Sequence, residues 1–417
     1  MSKSAKLSTE SYKGVRDFFP EDQARLNYLF KVMRMVVERV GYVEYGASVL
    51  EPAELYKSKN AENEEIIKEQ TYTFTDRGGR EVTLRPEMTP TVARMVAAKR
   101  REFGYPLRLY CIPNFFRYER PQRGRLREFW QLNVDIFGSR SAAADAEVIG
   151  VAYGIMYALG GSENDFVIKV GSRPAMNAVA ERAGLSPEEQ KKFFALLDRR
   201  EKMPATEFEK GLSDLGVPQS AVSADEVPDD VATMLADFRA QGVANIVYDP
   251  SIVRGFAYYT GIVFEVFDLH PQNNRAVGGG GRYDNLTELF DDEPLPGVGF
   301  AMGDEALRLF MDVRGLTPPY TPPTVAYIAL TSPELLPEAT KLAQELRQAG
   351  VCVAQDFGER KLGDQIKAAT KHQIPYVVIV GQDELMAGAF TVRNLTTGTE
   401  EHIGRERLAA YFLTHNL

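Results

Sequence analysis

Thiols, imidazoles and long apolar runs are all scarce in this 417-residue chain, and each scarcity removes a class of function. The two cysteines, Cys111 and Cys352, lie far apart and have no CxxC partner, so neither a disulfide framework nor a thiolate metal site is expected. The four histidines (His270, His372, His402 and His415) include no pair at ligand spacing, so no histidine-built metal site is expected either. No run of ~18 apolar residues occurs, which argues against a transmembrane helix. The opening residues, MSKSAKLSTESYKG, hold no apolar signal core; secretion is not expected, and the cytoplasm is the default location. A Walker A lysine is missing. The run GGGGRYD at 278–284 lacks the strand–GxGxxG–helix context of a dinucleotide fold. There is no low-complexity segment and no convincing internal repeat.

What remains is an ordinary globular composition, 44% hydrophobic and 26% charged, with length for two or three domains. The net charge of −9 argues against nonspecific nucleic-acid binding. Charge is unevenly spread, however. From Arg94 to Arg127 ten Lys/Arg face only two acids, Glu102 and Glu119. A basic patch on an acidic protein attracts a specific polyanion while the bulk surface does not.

Apolar spacing predicts a helix over 22–40, followed by a strand in YVEYGASVLEPAELY that ends near Pro52. Alternation around Arg-Gly-Gly predicts a hairpin at 71–85, and PEMTPTVARMVAAKRR a helix opened by proline. LRLYCIPNFFRYE and REFWQLNVDIFG read as two strands joined by an Arg-rich loop. Residues 141–160 read as a helix, and about 170–240 as a helical insertion in a sheet-rich domain. Strand signals then resume with IVFEVF, and GVGFAMG turns into a helix through a glycine-dense segment that lets backbone approach a ligand. TPPYTPP at 317–323 reads as a linker. Beyond it strands and helices alternate, which predicts a small α/β domain with a mainly parallel sheet.

Several residues invite two readings each. Arg117, Arg120, Arg123, Arg125 and Arg127 in FRYERPQRGRLREF match phosphate oxygens as guanidinium forks, or form a solvated charged hairpin. Glu119 among them fixes an arginine or accepts from an adenine amino group. Glu87 and Thr89, just before a helix, cap it or bind an ammonium group; in isolation capping is the better reading. Gln131, Asn133 and Asp135 alternate and so share one strand face, either plain surface or a polar pocket wall. In SIVRGFAYYTGIVFEVF, Arg254, Tyr258 and Tyr259 stand beside a strand, and paired tyrosines there are usually core packing.

Taken in order, these segments resemble class II aminoacyl-tRNA synthetases, and among them the histidyl-tRNA synthetase family, over nearly the whole chain. YKGVRDFFPED is similar to that family's N-terminal signature, GYVEYGASVLEP to class II motif 1, FRYERPQRGRLREFWQ to motif 2 and GVGFAMGDEAL to motif 3. VRGFAYYTGIVFE resembles the histidine-specific motif, and ERKLGDQIKAA with IPYVVIVGQDEL the shared anticodon-binding domain. The resemblance implies an α+β catalytic domain with an antiparallel sheet, the class II synthetase fold, over 1–318, carrying the helical insertion. An α/β anticodon-binding domain would follow over 323–417. It implies L-histidine, ATP and tRNA(His) as substrates, Mg²⁺ carried by ATP, and a homodimer formed through motif 1.

By motif position, the resemblance places Arg117 at the α-phosphate, Glu119 at the adenine and Arg125 at the terminal phosphates. Glu87, Thr89 and Gln131 would hold the histidine α-ammonium. Asp135 and Tyr259 would read the imidazole, Tyr258 would wall the pocket, and Arg254 would lie beside the carboxylate and α-phosphate. Two departures stand out. Ala257 occupies a position where the family usually carries aspartate. Motif 3 reads Gly303-Asp304-Glu305-Ala306, so its usual arginine is absent, and Arg308 would point about 200° away on a helix. A silent paralogue, such as the regulatory subunit of ATP phosphoribosyltransferase, is the competing expectation. Those paralogues usually lack an anticodon domain and lose pocket residues.

Overall fold

The computed structural model describes residues 7–57, 70–120, 122–200, 203–223, 226–253, 258–273, 275–290 and 293–414. By internal contacts it divides into two compact units, Met1–Pro318 and Pro319–Leu417. No helix among the described residues is long and apolar enough to cross a membrane.

The first unit begins with helix α1 (Pro20–Arg39), whose Leu26, Leu29, Met33 and Val37 recur at helical spacing and are buried. The segment expected as one strand up to Pro52 is instead two short strands in different sheets, β1 (Val43–Glu44) and β2 (Leu50–Pro52). Strands β3 (Tyr72–Thr75) and β4 (Glu81–Leu84) form the expected hairpin and pair with β2 in a three-stranded sheet. Helix α2 spans Thr89–Ala98. The next predicted strand is broken at Ile112-Pro113 into β5 (Leu107–Cys111) and β6 (Asn114–Phe116), because proline offers no N–H to a ladder. The long strand β7 (Glu128–Phe137) and helix α3 (Ala142–Ala158) follow.

Four further strands, β8 (Phe166–Ser172), β9 (Ile246–Tyr248), β10 (Ile262–Asp268) and β11 (Ala276–Arg282), and then β12 (Gly297–Gly303), complete the main sheet. Its order is β1-β5-β7-β12-β11-β10-β8-β9, with β6 pairing β7. The pairings are antiparallel except β1 with β5 and β8 with β9. Helices α1 and α3 and the last helix of the unit (Asp304–Asp312) cover one face, where Met33, Ile155 and Phe310 meet Leu132, Phe264 and Phe300 in the largest core.

Between β8 and β9 the insertion contributes helices Arg173–Arg182, Pro187–Asp198, Ala205–Asp214 and Asp229–Ala240. The first three build a small core of their own around Met176, Phe193 and Phe208. The fourth buries Val231, Met234 and Leu235 in the core of the main sheet, so only part of the predicted insertion is separate from it.

In the second unit the sheet order is β14-β13-β15-β16-β17, with β13 at Ala326–Leu330, β14 at Val353–Gln355 and β15 at Tyr376–Val380. These three run parallel, as the alternating pattern requires. The remaining pair, β16 (Ala389–Asn394) and β17 (Glu400–Gly404), is an antiparallel hairpin that the sequence reading did not identify. The sheet is therefore mixed rather than mainly parallel. Ala326, Ile328 and Leu330 face Leu342, Leu408 and Phe412, whereas Tyr327 and Ala329 face Ala369 on the other side.

Candidate active site

Side-chain alternation along β7 sends Leu132, Val134 and Ile136 into the main core and Gln131, Asn133 and Asp135 to the opposite face. There they line a cavity of about 350 Å³. The register sets its floor. Gln131, Asn133 and Asp135 pair with Gly303, Ala301 and Gly299 of β12. Ala301 and Gly299 pair in turn with Gly279 and Gly281 of β11, and Gly279 with Glu265 of β10. Glycine and alanine at these central positions leave the middle of the sheet low, between polar side chains on β7 and β10. The glycine run that looked uninformative in sequence is thus the bottom of a trough. A Cβ at Gly299 would overlap Asp135 Oδ1, and one at Gly281 would come within 2.8 Å of Tyr259 Cδ1.

Asp135 is buried, and burial pushes its carboxyl up to about 7, against the lowering effect of a hydrogen bond donated by the Tyr283 hydroxyl. Tyr283 itself is buried and sits edge-on to Tyr258, with centroids 6.0 Å apart; Tyr258 and Tyr259 are 4.8 Å apart. The two tyrosines precede β10 rather than lying in it, and both line the cavity. Tyr259 is at the same time part of a buried cluster with Val92, Val263 and Tyr283, against which Tyr258 packs, so the pair serves both core and pocket wall.

Glu87 and Thr89 line the same cavity. The capping reading fails, because Met88 is the N-cap of α2 and no side chain caps that end. Burial instead raises the Glu87 carboxyl to about 7, with Arg117 pulling it back down. Among the described residues no cation is bonded to it, and such a buried carboxyl is suited to receive one. Arg117 is held by its Nε, which donates to Pro86 O at 2.9 Å, and by Phe129, whose ring centroid lies 5.3 Å from Cζ. Its terminal nitrogens make no hydrogen bond among the described residues, and burial lowers its pKa. An anion in the cavity would answer both.

Glu119 and Arg125 also line the cavity, 3.7 Å apart. Arg127 does not. It anchors the loop instead, donating from Nε to Glu119 O at 3.1 Å and stacking on Tyr118 at 4.0 Å. Arg120 and Arg123 are not among the lining residues. The wall nearest helix Asp304–Asp312 carries Asp304, Glu305 and Ala306. Arg16 binds Asp304 at 2.6 Å and Glu305 at 2.8 Å, and Arg308 binds Glu305 at 2.7 Å and Asp312 at 2.5 Å. Arg308 is therefore engaged by carboxylates and does not line the cavity. Arg254 and Ala257 lie outside the described residues. No group of three or more His, Cys, Asp or Glu among the described residues is arranged to hold a metal ion.

The sequence reading missed Tyr283. The available signal was a tyrosine between two charged residues, just past the end of a glycine-rich buried strand. The raised acids carry a stability consequence. Glu87 keeps its proton in the folded state up to about 7, while an unfolded carboxyl loses it near 4.5. Stability from this group is therefore greatest below 4.5, falls between 4.5 and 7, and stays lowered above 7. Glu87→Gln is expected to stabilise the ligand-free protein by about 1–3 kcal/mol at pH 8, and not at all near pH 4.5. Thermal unfolding at the two pH values checks this; equal shifts at both would refute it.

Two family models match the chain: histidyl-tRNA synthetase over residues 14–213 and 204–307, and the anticodon binding domain over 324–415. The chain is 39% identical over 417 residues to a histidine–tRNA ligase of Leptospira biflexa serovar Patoc, with 95% of each covered. It is 35% identical over 418 residues to a histidine–tRNA ligase of Thermoplasma volcanium, covering 95% of this chain and 96% of the other. The crystal structure of histidyl-tRNA synthetase from Nostoc sp. PCC 7120 matches with a TM-score of 0.82 at 25% identity, over 98% of this chain and 100% of that one.

Proposed function

The chain belongs to the histidyl-tRNA synthetase family, and we propose that it is a histidine–tRNA ligase whose cavity holds L-histidine and ATP together. The observation that carries this reading is the pairing of two buried, raised carboxyls, Glu87 and Asp135, with the half-satisfied Arg117 in one cavity. A zwitterion bearing an imidazole complements that set. Its ammonium meets Glu87, Thr89 and Gln131, and its imidazole meets Asp135 and Tyr259 beside the wall made by Tyr258. Its carboxylate faces Arg117; the family resemblance would add Arg254, which lies outside the described residues.

In the first step a histidine carboxylate oxygen attacks the α-phosphorus of ATP. The bond to the β-phosphate breaks and pyrophosphate leaves. Two anions approach each other, so positioned cations lower the barrier, and Arg117 takes that role in this reading. Glu119 accepts from the adenine amino group, and Arg125 meets the phosphate tail. Mg²⁺ comes as part of the nucleotide substrate. In the second step a ribose hydroxyl at the 3′ end of tRNA(His) attacks the histidyl carbonyl and AMP leaves. The C-terminal unit, which matches the anticodon-binding model over 324–415, would read exposed bases. The same match counts against the silent-paralogue reading.

A homodimer formed through the motif 1 region is supported by apolar residues exposed there, Val43 at 64% and Leu50 at 47%. A species of twice the chain mass in sedimentation is the expected result, and a monomer would refute it. The ligase works with tRNA in the cytoplasm. Histidine-dependent ATP–pyrophosphate exchange by purified protein, followed by charging of tRNA(His), tests the whole proposal. A folded protein that shows no exchange with histidine would end it.

A further inference from the structure

Ala306 stands where a class II motif 3 usually supplies an arginine for the terminal phosphates of ATP. The cavity then has a charge problem. Among the described residues its walls present Glu119, Asp304 and Glu305, but only Arg117 and Arg125 as cations. The two cations near Ala306 are committed elsewhere, because Arg16 pairs with Asp304 and Glu305 and Arg308 pairs with Glu305 and Asp312.

Arg275 is placed differently. It immediately precedes Ala276, which lines the cavity. Its Nη1 donates to Arg123 O at 2.6 Å, which ties the end of β11 to the Arg-rich loop across 152 residues of sequence. Among the described residues no carboxylate lies within ion-pair distance of it. Gly124 lines the cavity, and a Cβ there would stand 3.5 Å from Arg275 Nη1 and 3.6 Å from Leu309 Cδ1. Residue 309 is one helical turn after Ala306, and helical side chains lean toward the N-terminal end over the preceding turn. The Arg275 guanidinium and the turn carrying Ala306 therefore flank the same small spot on the cavity wall. Gly124 has a φ of +79°, so a side chain there is disfavoured and the spot stays open.

We propose that Arg275 supplies, from the end of β11, the cation that motif 3 does not, and that it binds the β- and γ-phosphates of ATP and the departing pyrophosphate together with Arg125. This rests on the ligase reading, and the test separates the two. In histidine-dependent ATP–pyrophosphate exchange with full-length protein, Arg275→Ala is expected to raise the KM for both ATP and pyrophosphate about tenfold or more, as loss of a charge-assisted contact requires. The KM for histidine and the inhibition constant of AMP, which lacks the terminal phosphates, should stay unchanged. Arg275→Lys should recover part of the loss, and adding Ala306→Arg to Arg275→Ala should recover more.

An unchanged KM for ATP in Arg275→Ala overturns the proposal. A matching loss of AMP affinity also overturns it, because it would make Arg275 a tether for the Arg-rich loop and not a phosphate ligand. Wild-type protein that exchanges with no histidine dependence would overturn the ligase reading itself.

Discussion

Arg117→Ala is expected to lower kcat/KM for histidine-dependent ATP–pyrophosphate exchange by about 10³-fold or more while the fold survives. Arg117 is half-buried in the cavity wall, and desolvation there lowers its pKa. Among the described residues only Nε is satisfied, by Pro86 O. The terminal nitrogens are on a residue that lines the cavity, where a charge acts more strongly than at the open surface. Keeping a cation there destabilises the empty protein, so the variant should unfold at the same temperature or slightly higher. Lysine should restore little, since it has no planar fork. A second effect follows from Glu87, whose carboxyl Arg117 pulls downward. Without the arginine, Glu87 holds its proton to higher pH, and the KM for histidine should rise as well. Exchange assays with thermal unfolding decide the matter; wild-type activity in a folded variant would remove Arg117 from the chemistry.

Asp135→Ala is expected to raise the KM for histidine by about 10²-fold or more. The side chain is the only carboxylate on the β7 face of the cavity, and Tyr283 leaves part of it to receive an imidazole N–H. Removing it strands two donors, the Tyr283 hydroxyl and the substrate, and unpaired buried donors are costly. The pH dependence has a definite sign. Asp135 and Glu87 are both raised to about 7 in the empty cavity, so binding a cation below that pH must release protons. The wild-type KM should climb as pH falls below 7, with a shallower slope in Asp135→Ala. Parallel pH profiles for the two proteins, or an unmoved KM, would mean that Asp135 does not contact the imidazole.

Much of this arrangement was legible in the sequence because it rests on short-range rules. Alternation alone put Gln131, Asn133 and Asp135 on one face, helical spacing located α1, and the order of segments identified the family. The proline at 113 had to break a strand, although its effect was not anticipated. In the C-terminal unit the hairpin Ala389–Gly404 is less apolar than the buried parallel strands beside it and passed unread. β17 is the edge strand of that sheet and is largely exposed, so it carries little apolar pattern.

The sequence by itself determined which residues are chemically able to act: the arginines of the loop, the two acids, the tyrosine pair, and the missing arginine at Ala306. The tertiary structure decided which of them meet. Strand register set Asp135 opposite Gly299 and lowered the floor with glycines, and Tyr283 came from 148 residues away to hold that aspartate. Arg308 is held by carboxylates of its own helix, whereas long-range packing placed Glu87 in the cavity wall and brought Arg275 beside Gly124. Contacts of this kind depend on the pairing of distant strands. Local sequence encodes what a side chain can do, and only long-range packing sets what it faces.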